Sequence, residues 1–223
     1  MKVQLLASTP NAEELICKAA HVCYSAKAIA DIKTEDTDEM IGRLIEAGHT
    51  SVLEHANFTF GIEGISRVCL AQLTRHRLAS YSVRSQRYVE VKVGEYVGND
   101  KEFMLERLKE YREKIESGMK KEDARYELPQ GVTTTLVMTM NARELLNFFS
   151  LRCCYKAQWE IRELANEILK KVKSIAPNVF KKAGAACVQN GYCKEEKPCG
   201  KMHVPSKEFL MDLYKFWKEE AAK

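Results

Sequence analysis

The chain of 223 residues lacks any run of about twenty apolar residues, which excludes a helical membrane span. Its opening, MKVQLLASTPNAEEL, has too short an apolar stretch for a secretory signal, so a cytoplasmic location is expected. No repeat, low-complexity tract or long linker interrupts it, and the expectation is a single domain over 1–223 with a Cys-rich C-terminal segment at 184–223. A net charge of +4 is too mild to argue for a nucleic-acid or membrane-surface protein. The sharpest absence is local. Between Glu63 and Glu90 there is no Asp, Glu or Lys, yet Arg67, Arg75, Arg77, Arg84 and Arg87 all fall there.

What is present is ordinary globular material, with 45% hydrophobic and 30% charged residues. The pattern predicts an α+β fold, a small mixed or antiparallel sheet with flanking helices. Strands are expected at KVQLL, NFTFGI, VEVKV (residues 89–93) and VTTTLVMTM. Helices are expected after Pro10; over DTDEMIGRLIEAG, with Asp36 as cap and Glu39 completing a capping box; and over ISRVCLAQLTR, with Ile65, Val68, Cys69 and Leu73 on one face. Others follow at 101–117, in KKEDARYELP, from Asn141 as N-cap, over AQWEIRELANEILKKVKSI, and at 206–221 with Phe209, Leu213, Phe216 and Trp217 as its apolar stripe.

The stretch RHRLASYSVRSQRY, residues 75–88, gathers arginines and serines. Residues two apart share no face of a helix, so Arg75 and Arg77 belong at a helix end or in a loop, where two guanidiniums and backbone N–H groups converge on an anion. Arginine's planar fork suits phosphate oxygens better than lysine does, and Ser80, Ser82 and Ser85 add neutral donors. A solvated basic loop is the plainer alternative. GHTSVLEH places His49 beside a helix-start pattern, Ser51 to Glu54, that could aim it at a ligand; a capping Glu54 and a hydrogen-bonded core His55 are the favoured alternative. Asn141, Arg143, Asn147 and Arg152 interrupt an apolar helix and need partners, a ligand being one. For Arg125 the plain reading is a surface salt bridge to Glu122 or Asp123. Cys187, Cys193, Cys199 and His203 have zinc-ligand chemistry at wider gaps than structural zinc sites use, so no metal is the expectation and they remain a weak candidate. Cys153-Cys154 beside Arg152 could offer a nucleophile, with core packing preferred.

The segments Arg75-His76-Arg77 through Ser85, Gln86-Arg87-Tyr88, GHTSVLEHANFTF, and NARELLNFFSLR with AQWEI together resemble the flavin-dependent thymidylate synthases, from the first strand to about Ile175. The resemblance implies reductive methylation of dUMP to dTMP, with methylenetetrahydrofolate as one-carbon donor, hydride from reduced FAD and NADPH as reductant. It also implies a homotetramer with interfacial sites and neither nucleic-acid nor membrane partners. His49, Ser51, Arg75, His76, Arg77, Leu78, Asn141, Arg143 and Asn147 would contact FAD. Gln72, Arg75, Ser85, Gln86, Arg87, Arg125 and Arg152 would hold dUMP. His49, Ser85, Arg125 and Arg152 would serve the chemistry, with Ser85 as a hydrogen-bonding residue ahead of a nucleophile. Lys156 departs from the histidine of some relatives, and the Cys-rich tail is a second departure. A nucleic-acid module would want more interleaved aromatics than Tyr81 and Tyr88 and a larger charge excess. A flavin electron carrier would not need Ser85 to Arg87.

Overall fold

The computed structural model describes residues 1–34, 36–201, 210, 211, 214, 215 and 218. In chain order its elements are β1 (Lys2–Ser8), α1 (Ala12–Val22), α2 (Thr37–Glu46), β2 (Asn57–Ser66), α3 (Arg67–Leu73), β3 (Ala79–Val83), α4 (Lys101–Glu116), α5 (Lys121–Ala124), β4 (Thr133–Asn141), α6 (Ala142–Arg152), α7 (Trp159–Ile175) and α8 (Ala186–Asn190), with short 3₁₀ turns between some of them. They fall into two compact units: Met1–Thr9 with Asn57–Met140, and Pro10–Ala56 with Asn141–Lys223.

The first unit is built on a four-stranded sheet in the order β1-β2-β4-β3. β1 and β2 are antiparallel from Lys2↔Glu63 to Ser8↔Phe58, with a register shift between Leu5 and Ala7. β3 and β4 are antiparallel from Ala79↔Met140 to Val83↔Leu136. The expected alternation holds: Phe58, Phe60 and Ile62 are fully buried while Asn57, Thr59 and Gly61 are not. On the α4 side Met104, Leu108 and Tyr111, spaced for one helical face, pack with Val91, Ala124 and Val132. Gly131 is required by a close approach, because a Cβ there would meet the Val97 carbonyl oxygen at 2.6 Å.

The second unit is helical. α7 buries Ile161, Leu164, Ala165, Ile168 and Val172, and α6 buries Leu145, Phe148 and Phe149. Phe149 meets Phe180 edge-on at a centroid distance of 5.9 Å. Asn141 caps α6 as expected, its side chain accepting from the Glu144 N–H at 2.8 Å.

Several expectations change. Residues 89–93 form no strand, since their neighbourhood closes local turns, Val89 N–H to the Ser85 carbonyl and Glu95 N–H to the Lys92 carbonyl. Only Val91 of that segment is buried; Val89 and Val93 face solvent. β3 lies inside the arginine-rich stretch, where no strand was expected. The third helix starts at Arg67 because β2 runs on to Ser66, whose side chain accepts from the Cys69 N–H; Ile65 is therefore a strand residue and Val68 is exposed. Asp36 sits before α2 in a left-handed conformation and makes no side-chain cap bond. Of the helix expected at 206–221, residues 210, 211, 214, 215 and 218 are described and are helical, while its stripe of Phe209, Leu213, Phe216 and Trp217 lies outside the described residues.

Candidate active site

In the first unit, α3 ends in a turn that holds Arg75 and leads into a loop with His76 and Arg77, the helix-end placement expected. Arg75 and Arg77 are exposed, His76 is buried and Leu78 is 68% exposed. Among the described residues neither Arg75 nor Arg77 makes an ion pair or side-chain hydrogen bond. The Tyr81 hydroxyl, from β3, lies 2.9 Å from the carbonyl oxygens of both Leu73 and His76.

The far end of β3 carries the other half of the motif. There Arg84 is structural, its guanidinium 3.2 Å from Glu95 and 3.4 Å from the Thr133 carbonyl. Ser85 accepts the backbone N–H of Arg87 at 3.2 Å, and among the described residues no histidine or carboxylate hydrogen-bonds to it. Arg87 donates from Nε to a Glu122 oxygen at 2.9 Å, its Nη2 lies 2.9 Å from the same oxygen, and the hydrogen bond raises the guanidinium's pKa further. Arg125 pairs with neither acid proposed for it; its Nε donates to the Glu122 backbone carbonyl at 3.0 Å. Half-buried Gln72 lies on α3 and Gln86 follows β3. The acid-free stretch thus draws two counter-charges, Glu95 and Glu122, from later in the chain. Among the described residues Arg67 draws none: its Nε is buried without a hydrogen-bond partner there, and burial, then Arg125 and Arg84, push its pKa down.

The second unit gathers most residues of the flavin-linked set. His49 and Ser51 are exposed at the start of a six-residue 3₁₀ turn, Thr50–His55, too short to be the helix N-terminus expected. Glu54 caps nothing. It pairs with Arg143 at 2.5 Å, and the Ala142 N–H donates to the Ala56 carbonyl at 2.8 Å, so the turn and the first turn of α6 are held together. His55 is exposed rather than a core histidine. Asn147 donates to buried Glu144 at 3.3 Å. Thr50, Arg143 and Asn147 line a cavity of about 1000 Å³ whose wall includes Lys181 and Lys182. These lysines pair with Asp38 at 3.1 Å and Glu46 at 2.8 Å, the second contact lowering the Glu46 pKa. Sequence reading missed both, because a lone lysine pair carries no motif.

The most decisive observation is one of descent. The family model described as thymidylate synthase complementing protein matches residues 4–178. The chain belongs to this family. Curated relatives named flavin-dependent thymidylate synthase include one from Geobacter sulfurreducens, 44% identical, with 90% of this chain and 94% of the relative covered. Another from Pyrococcus horikoshii is 42% identical, with 88% and 91% covered. Among solved structures, the Helicobacter pylori flavin-dependent thymidylate synthase complexed with FAD and dUMP superposes with a TM-score of 0.73 at 28% identity, covering 82% of this chain and 100% of that one.

The family match stops before the thiol-bearing tail of the chain. Half-buried Arg152, at the end of α6, lines a cavity of about 390 Å³ together with Cys154, Lys156, Cys187, Cys193 and Cys199. Among the described residues no three His, Cys, Asp or Glu side chains are placed to hold a metal ion, and His203 lies outside those residues. Cys153 is buried and its thiol is pushed up to about 12 by desolvation, which excludes a thiolate nucleophile there at neutral pH. Lys156 pairs with Glu195 at 2.7 Å, and that hydrogen bond raises its pKa.

Proposed function

We propose that the chain is a flavin-dependent thymidylate synthase, a methyltransferase that converts dUMP to dTMP with methylenetetrahydrofolate as one-carbon donor and NADPH as reductant. One observation carries this at the level of the site: two anion-ready groups at opposite ends of β3. At one end Arg75 and Arg77 present guanidiniums without acidic partners among the described residues, suited to a diphosphate. At the other, Ser85, Gln86 and Arg87 supply hydroxyl, amide and guanidinium donors, suited to a nucleoside monophosphate.

FAD fits the donor set, since Arg75, Arg77 and Arg143 offer cations, and His49, Ser51, His76, Leu78, Asn141 and Asn147 offer polar and apolar contacts. When bound and reduced, FAD supplies the hydride. The chain's own residues do the rest. Arg87 takes the dUMP phosphate in exchange for Glu122. Ser85, Gln86 and Gln72 orient the nucleotide, with Arg75 of another copy reaching it. Ser85 positions rather than attacks, as among the described residues no base is hydrogen-bonded to it to take its proton. Arg125 and Arg152 stabilise the negative charge that develops on the uracil carbonyls as the C5 bond forms, which is how fixed cations lower a barrier. His49 lies on the flavin side of the same chemistry.

The assembly is read as a homotetramer with its sites where copies meet. β3 supports this: its five residues set the two groups about 13 Å or more apart along the strand, so groups from different copies can serve one ligand pair. The whole chain, 1–223, works as one functional domain with 184–223 as an appended segment, and eight free thiols fit a reducing cytoplasm. Purified protein should be yellow or gain flavin absorption on adding FAD, and should form dTMP from dUMP only with the folate and NADPH present. A colourless protein that binds no FAD and forms no dTMP overturns the reading.

A further inference from the structure

We infer that Tyr81 is a positioning residue for the turn that presents Arg75 and Arg77, a role that rests on reading those arginines as FAD-facing. With no ion pair or side-chain hydrogen bond among the described residues, the two arginines are aimed only by the backbone that carries them. That backbone follows a helix end, where the last carbonyls have no partner within the helix. Leu73 is such a residue. Its carbonyl accepts the His76 N–H at 3.1 Å and faces the Tyr81 hydroxyl at 2.9 Å. The His76 carbonyl faces the same hydroxyl, also at 2.9 Å, so one phenol bridges the turn from Leu73 to His76. Leu78, just beyond, is too exposed to anchor the segment by packing.

Tyr81 is itself fixed. It lies in β3 opposite Met138 of β4, and Met138 is fully buried. The sheet therefore holds the ring, the hydroxyl holds two carbonyls, and the carbonyls set the direction of the arginines. A hydroxyl has one proton for the two acceptors, so it serves them by sharing or alternation. A group with two donors at the same place would serve both at once.

The experiment compares wild type, Tyr81→Phe and a variant carrying p-aminophenylalanine at position 81, whose amine brings two N–H donors. FAD dissociation constants are read by flavin fluorescence without dUMP, and amide hydrogen exchange is followed at His76, whose N–H donates to the Leu73 carbonyl. Tyr81→Phe should weaken FAD about tenfold and speed exchange at that amide, while circular dichroism confirms an intact fold. The amine should restore affinity and protection. Wild-type affinity and exchange in the Phe variant, or an amine variant no better than Phe, overturn the inference. If the wild type binds no FAD, the proposed function fails instead, and the exchange rates still decide whether Tyr81 braces the turn.

Discussion

Asn141 carries two loads that one pair of substitutions separates. Its Oδ1 accepts the Glu144 N–H at 2.8 Å and caps α6, which leaves Nδ2 as the donor available to a ligand. Asn141→Asp keeps the capping oxygen and adds a negative charge at a helix N-terminus, which is favourable there, but removes the donor. Asn141→Ala removes both. Loss of the cap costs about 1 kcal/mol, which in a chain of this size lowers Tm by about 2–4 °C. The Asp variant should melt within about 1 °C of wild type. Both should bind FAD at least about tenfold more weakly, and Asp should be the worse because its carboxylate repels a diphosphate. Differential scanning fluorimetry and flavin titration supply the two readouts. Equal melting of Asp and Ala variants refutes the cap argument, and wild-type FAD affinity in the Asp variant refutes the role of Nδ2.

Arg87→Lys loses the planar fork that meets phosphate oxygens once Glu122 is displaced, so dUMP should bind about 10- to 100-fold more weakly with FAD affinity unchanged in calorimetry; equal loss of both would show the partition is wrong. Ser85→Ala should reduce turnover yet leave a measurable rate, whereas complete loss at normal dUMP affinity would restore a nucleophile. Cys153, with its thiol pushed up to about 12, should resist iodoacetamide at pH 8 while exposed Cys23 and Cys199 react, as read by peptide mass spectrometry. The stability that comes from keeping Cys153 protonated is fully present below its ordinary value of 9.0 and lost as pH rises toward about 12, so a base titration of the melting temperature should weaken more in wild type than in Cys153→Ala. Phe180→Ala removes a fully buried ring packed edge-on against Phe149 and should cost about 3–5 kcal/mol by urea unfolding.

The parts of the fold legible in the sequence are those with a strong local period or a local cap. The Phe58, Phe60, Ile62 alternation, the Met104, Leu108, Tyr111 stripe and the Asn141 cap each express an interaction that closes within a few residues. The failures share a cause of the opposite kind. Val89, Val91 and Val93 alternate as a strand would, but a strand needs a partner, and the neighbouring backbone closes on Ser85 and Lys92 instead. β3 was hidden because arginine and serine dominate its surroundings, while its strand character comes from pairing with β4.

The same distinction governs the site. Residue types and their order pointed to anion chemistry, since guanidiniums beside hydroxyls are readable in one dimension. The counter-charges were not, because Glu95 and Glu122 come to Arg84 and Arg87 through the fold and not through proximity in the chain. This alters what the acid-free stretch means. Of its five arginines, Arg84 is tied into the sheet and Arg87 is held by an exposed carboxylate that a phosphate can displace. Arg75 and Arg77 have no acidic partner among the described residues, and Arg67 is half-buried against other guanidiniums. A surface that merely needed solubility would not leave these three unneutralised while supplying acids to the other two. Selective neutralisation of that kind fits a receptor for two anions of different size, one met by free guanidiniums and one by an arginine that exchanges its partner on binding.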